Sequence, residues 1–125
     1  MDEGNALSRA EAMKARTKQF ALRIVRLFRS LPRAEEARVI GKQLLRSGTS
    51  VGANYRAVCR ARSKREFISK ISVVVEEADE SVFWLELLVE AEIMSKAKLA
   101  ALHNEAEQLL AIFAASLRTA RAKSQ

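Results

Sequence analysis

Residues 6–33 read ALSRAEAMKARTKQFALRIVRLFRSLPR, and this stretch decides the fold class. Its apolar and small residues fall at Ala6, Ala10, Met13, Thr17, Phe20, Ile24, Leu27 and Leu31, in alternating steps of four and three. A strand would need a period of two, whereas this spacing keeps one stripe along one side of a long helix. The stripe predicts helix 1 over residues 6–31 with a buried heptad seam. Pro32 disfavours helical geometry at the residue before it and closes the helix there.

Working outward, the same spacing recurs at Ala37, Ile40, Leu44, Ser47, Val51, Asn54, Val58 and Ala61, which predicts helix 2 over 34–62. Gly41, Gly48 and Gly52 lie inside it, each costing about 1 kcal/mol of helix propensity relative to alanine. Either the helix breaks near residues 47–49, or a neighbouring backbone approaches so closely that only glycine fits. The seven- and four-residue steps put the three near one side, which favours a continuous, tightly packed helix. Ser63 followed by Glu66 forms a capping-box pattern that opens helix 3 over 64–94. Its seam is Phe67, Ile71, Val74, Ala78, Ser81, Leu85 and Leu88, with a second apolar line through Ile68, Val75, Val82 and Val89. Ser95 caps helix 4 over 96–118, seamed by Leu99, Leu102, Ala106, Leu109, Phe113 and Ser116, and the polar tail 119–125 is expected to be flexible.

The chain has 125 residues, 49% of them hydrophobic, with four glycines and one proline. That is enough apolar material for one core and too few turn-formers for a sandwich or barrel. Four helices of about 37 Å, at 1.5 Å per residue, predict a single all-α domain spanning residues 1–125, an antiparallel up-down-up-down four-helix bundle. Apolar residues outside the seams, Leu22, Val25, Phe28, Phe83, Trp84, Leu87, Leu110 and Leu117, exceed what a monomer would expose and predict a homo-oligomer.

Composition also removes chemistries. One histidine and one cysteine rule out an intrachain zinc site of four nitrogen or sulfur ligands and any intrachain disulfide, and a reducing cytoplasmic setting fits. The first twenty residues lack a signal-type apolar stretch, and no window suits a membrane span, so no membrane partner is expected. The Glu-x-x-His pairs of a di-iron bundle are absent. His103 reads as a surface or partly packed residue, and Cys59 as a small filler with no local histidine to activate it. The run Gly48 to Asn54 lacks a P-loop lysine and a preceding strand. No cofactor and no enzyme activity are expected.

Charge is unevenly spread. Residues 1–33 carry eight basic and three acidic side chains, and residues 34–65 eight and two, whereas residues 66–95 carry one and eight. One reading is complementarity, in which the acidic third helix pairs with basic helices within the bundle or across an interface. The other is a basic face open to a phosphate backbone, carried by Arg16, Arg23, Arg26, Arg56, Arg60, Arg62, Lys64 and Arg65. Arginine predominates, which suits bidentate phosphate contact, and Tyr55 is the one aromatic near the second cluster. Binding of RNA or DNA would then be backbone-led and salt-sensitive.

The block Arg46-Ser-Gly-Thr-Ser-Val-Gly-Ala-Asn-Tyr-Arg56, with Ala61-Arg-Ser63, Glu66-Phe-Ile-Ser-Lys70, Glu77-Ala-Asp-Glu80 and Phe83-Trp-Leu85, resembles a bacterial four-helix bundle family. That family is named for proteins encoded in intervening sequences of 23S ribosomal RNA genes. The resemblance spans residues 15–117. It departs at Val75-Glu76, where relatives often carry a lysine before the Glu-Ala pair. It implies a non-catalytic homopentamer that binds RNA or DNA or serves as an adaptor. The family includes the accessory protein of diversity-generating retroelements, so a reverse transcriptase or another protein is an implied partner. The block also marks Ser47, Gly48, Ser50, Gly52, Asn54 and Trp84 as structural or oligomer positions. Ser47, Ser50 and Asn54 read as a buried polar set that fixes register, with a ligand-binding notch as the alternative.

Overall fold

The chain forms four α-helices, α1 (Asp2–Ser30), α2 (Glu35–Val58), α3 (Lys64–Glu90) and α4 (Lys96–Ser124). The computed structural model describes residues 2–124, and the burial of residues 4–123. Among the described residues there is no strand, so the all-α class read from the heptad spacing is the class observed. Among the described residues no helix is long and apolar enough to cross a membrane.

The seams form the core. Phe20, Ile24 and Leu27 of α1 meet Leu44 and Val51 of α2, Ile71, Val74, Leu85 and Leu88 of α3, and Leu99, Leu109 and Phe113 of α4. Burying each large side chain is worth about 1.5–3 kcal/mol, which is why the spacing dictates the packing. Each helix packs closely on the next in the chain, while α1 and α4 touch only sparsely.

α2 runs unbroken through all three glycines, and α1 is the neighbour that requires them. An added Cβ would lie 2.5 Å from Leu31 Cδ1 at Gly41, 2.7 Å from Ile24 Cγ1 at Gly48, and 3.3 Å from the Thr17 carbonyl oxygen at Gly52. The neighbours step back along α1, from Leu31 through Ile24 to Thr17, as the glycines advance along α2.

The ends differ from expectation in physically identifiable ways. α2 stops at Val58 rather than 62, because Arg60 and Ala61 donate to the Ala57 and Val58 carbonyls in three-residue turns. α3 stops at Glu90 rather than 94. Glu92 takes a left-handed backbone, φ 61°, its amide donates to Val89 and the Ile93 amide to Leu88, which is a Schellman closure with glutamate where glycine is usual. The tail expected to be flexible is instead helical to Ser124, with Leu117 and Ala120 buried and Arg121 and Lys123 favourably placed in the last turn. Leu117 is thus a core residue and not part of an exposed surplus. Gln125 lies outside the described residues.

Two of the expected caps are present. The Ser63 hydroxyl accepts from the Glu66 amide at 3.0 Å, and Ser95 from the Lys98 amide at 3.2 Å. The Glu66 carboxylate accepts from the Arg62 amide at 3.4 Å, one residue earlier than in a capping box. Ala34 opens α2 without a side-chain cap, and Glu35 and Glu36 answer the helix dipole there.

Candidate nucleic-acid interface

The arginines that recur every seven residues on α1 flank the α1–α4 seam, and each meets different surroundings. Arg16 makes a bidentate pair with Glu105, Nε and Nη2 each 2.8 Å from a carboxylate oxygen, and donates to Gln108 at 3.0 Å. Arg23 and Arg26 line a groove of about 680 Å³ with Lys98, at the end where α1 finishes and α4 begins. Arg9 lies at the opposite end, on the rim of a cavity it shares with Lys64.

The second cluster gathers where α2 hands over to α3. Arg56 lines a shallow groove between α1 and α2 with Lys14 and Lys18, over a floor of Gly52 and Ala53. Arg60, Arg62, Lys64 and Arg65 follow it, all exposed. Among the described residues none of these five side chains has an ion pair. The eight cations therefore form two basic ends, one holding Arg23 and Arg26 and the other Arg56 to Arg65, with Arg16 engaged between them.

The acidic helix answers part of the basic charge within the chain. Arg46 of α2 pairs with Glu77 at 3.2 Å and with Glu80, which also accepts from Trp84 Nε1 at 3.0 Å. Hydrogen bonds from Arg46 and Trp84 hold the Glu80 carboxyl below its ordinary value, and the bond from Arg16 does the same for Glu105. Both arginines are correspondingly raised. Glu76, Asp79 and Glu90 remain exposed on α3. Sequence reasoning did not assign Arg46 to Glu77 and Glu80; the available signal was an arginine midway along α2 and four acids, Glu76, Glu77, Asp79 and Glu80, within five residues of α3.

Of the structural positions, Ser47 and Gly48 are buried, while Ser50, Gly52, Asn54 and Trp84 are half-buried. The Ser47 and Ser81 hydroxyls lie 3.0 Å apart, with the Leu44 and Glu77 carbonyls as further acceptors at 3.3 and 2.8 Å. Asn54 donates to the Ser50 carbonyl at 2.9 Å, and Ser50 to the Arg46 carbonyl at 2.6 Å, both within α2. Only Ser47 thus reaches across to α3. Its partner was foreshadowed, since Ser81 is the one polar residue in the α3 seam. Trp84 packs edge-on against Phe83, ring centroids 4.9 Å apart. His103 lies between Glu86 at 2.8 Å and Glu107 at 3.2 Å, and no metal-binding group of three such side chains exists among the described residues.

The model of the 23S rRNA-intervening sequence protein family matches residues 11–115. The chain belongs to that family. This agrees with the motif block read from the sequence, which lies inside the matched span. A crystal structure of a protein of unknown function from the S23 ribosomal protein family of Bacteroides thetaiotaomicron is similar in fold, with a TM-score of 0.80 and 33% identity. The alignment covers 87% of this chain and 97% of that one. No curated protein matches. In this family member, then, the α1–α2 glycine contact, the Ser47–Ser81 bond and the Arg46 clasp hold the two basic ends in fixed relation.

Proposed function

We propose that this family member is a non-catalytic, homo-oligomeric bundle that binds RNA or DNA through its basic α2–α3 end. One observation supports this reading above others: Arg56, Arg60, Arg62, Lys64 and Arg65 gather at one end, exposed and without acidic partners among the described residues. Unpaired cations at this density favour phosphate, and arginine adds bidentate geometry. Arg23 and Arg26 form a second, smaller contact at the other end, and Arg16 is excluded because Glu105 holds it. The bundle is antiparallel, up-down-up-down, which fits an end cavity lined by the starts of α1 and α3 and the finishes of α2 and α4. The assembly is the homopentamer implied by family resemblance, and the protein acts in the cytoplasm.

The alternative is an adaptor for an acidic protein or a reverse transcriptase, with no nucleic-acid role. Arg46 and Arg16 favour it, since both already pair with carboxylates. A fluorescence titration with a structured RNA at about 50 and 200 mM salt separates the two. With four phosphate contacts, affinity should fall about a hundredfold between those salts. Replacing Arg60, Arg62 and Arg65 by alanine should lower the salt slope by roughly one per arginine. Absence of binding at the lower salt refutes the proposal and leaves the adaptor.

A further inference from the structure

At the end where α1 and α3 begin, the four helices border a cavity of about 790 Å³. Its inner wall is the core itself, since Val58, Ile71 and Phe113 line it and are buried. Met13, Phe67 and Ile112 extend the apolar surface outward. The opening has a sequence cause. The α1 seam begins with Ala6 and Ala10, and Ala61 and Ser116 also line the space, so these four small residues leave a gap between the longer side chains around them. Further along the same seam Phe20, Ile24 and Leu27 close the core completely.

The rim is charged with one sign. Arg9 comes from α1 and Lys64 from the first residue of α3, and neither has an ion pair among the described residues. Tyr55 stacks obliquely on Phe113, centroids 5.3 Å apart. Burial first, then a hydrogen bond with Cys59, pushes its hydroxyl above the ordinary 10.

We propose that the cavity binds an amphipathic anion, an apolar chain with a single carboxylate head, its body against Ile71 and Phe113 and its head between Arg9 and Lys64. The volume lies within the range of about 300–1,000 Å³ usual for ligand sites, and apolar walls with few polar groups are their usual lining. Two unpaired cations at the mouth select an anion over a neutral or cationic amphiphile of equal length. The apolar interior contributes nothing to phosphate contact, so this site and the proposed nucleic-acid surface share only Lys64.

The test is calorimetric titration of the full chain with dodecanoate below its micellar concentration. One site per chain is expected, with affinity rising about fourfold for each added CH₂. Dodecyltrimethylammonium should not bind. Ala10→Leu, which narrows the cavity, should weaken binding while helicity is retained, and Arg9→Ala with Lys64→Ala should weaken it about five- to tenfold. Cys59, the sole cysteine, lines the cavity and is exposed, so bound dodecanoate should slow its labelling by a thiol reagent in the unaltered protein. Equal uptake of the cationic amphiphile, affinity unchanged by Ala10→Leu, or unprotected Cys59 at saturation overturns the proposal. So does a change of oligomeric mass in Ala10→Leu without dodecanoate binding to the parent, which assigns the space to a second copy.

Discussion

Glu92 holds a backbone conformation that L side chains resist, and it does so because the Schellman bonds to Leu88 and Val89 turn the chain toward α4. Glu92→Gly should therefore raise stability by about 1 kcal/mol, seen as a higher urea midpoint at unchanged slope. Ser81→Ala removes one hydroxyl of the buried pair while Ser47 keeps the Leu44 carbonyl. A loss of about 1 kcal/mol is expected, against which an unchanged midpoint would count. Glu105 carries a pH dependence. Its carboxyl is held below the ordinary 4.5 in the folded chain, so the unfolded chain takes up a proton first as pH falls. The stabilisation is full above that value and is lost as pH drops through the lowered folded value. Glu105→Gln should flatten the stability curve in that window, as read by denaturation at stepped pH.

At the level of the helices, Gly48 and Gly41 separate two effects of adding a methyl group. Ile24 is buried and branched at the point where a Cβ on Gly48 would land, so the contact cannot relax cheaply. Gly48→Ala should cost about 1–3 kcal/mol despite the better helix propensity. At Gly41 the nearest atom is the end of the half-buried Leu31 side chain, which can swing aside, and Gly41→Ala should lie near neutral by thermal unfolding. The heptad spacing, Pro32, Ser63 and Ser95 made the four helices and their order legible, because each states a local requirement of the backbone. Glu92 was not legible, since no glycine marks the turn, nor was the α4 extension, since Ala120 looks polar-neighboured in sequence and is buried only by packing. The basic residues were legible as a set. Their division into two ends and the capture of Arg16 by Glu105 depend on which helix faces which, and composition does not carry that.

The whole molecule is electrically lopsided, with acids exposed along α3 and cations at both ends, so the proposed assembly has charge complementarity available between copies. Large apolar side chains still face outward, Val39 at 58% and Phe83 at 53% exposed. For the proposed homo-oligomer, Phe83→Asp should reduce the mass measured by light scattering while helicity by circular dichroism is kept; an unaltered mass would remove Phe83 from the interface. The sparse α1–α4 seam has a dynamic counterpart. α1 is anchored along α2, and beyond the shared core its link to α4 is Arg16 on Glu105 and Gln108. Rolled up this way, the four helices behave as a strip with a fastening, and the fastening should open before the strip tears. Amide hydrogen exchange would then be graded, with α2 and α3 exchanging only through global unfolding and α1 through a smaller opening, and Arg16→Ala would quicken the α1 amides alone.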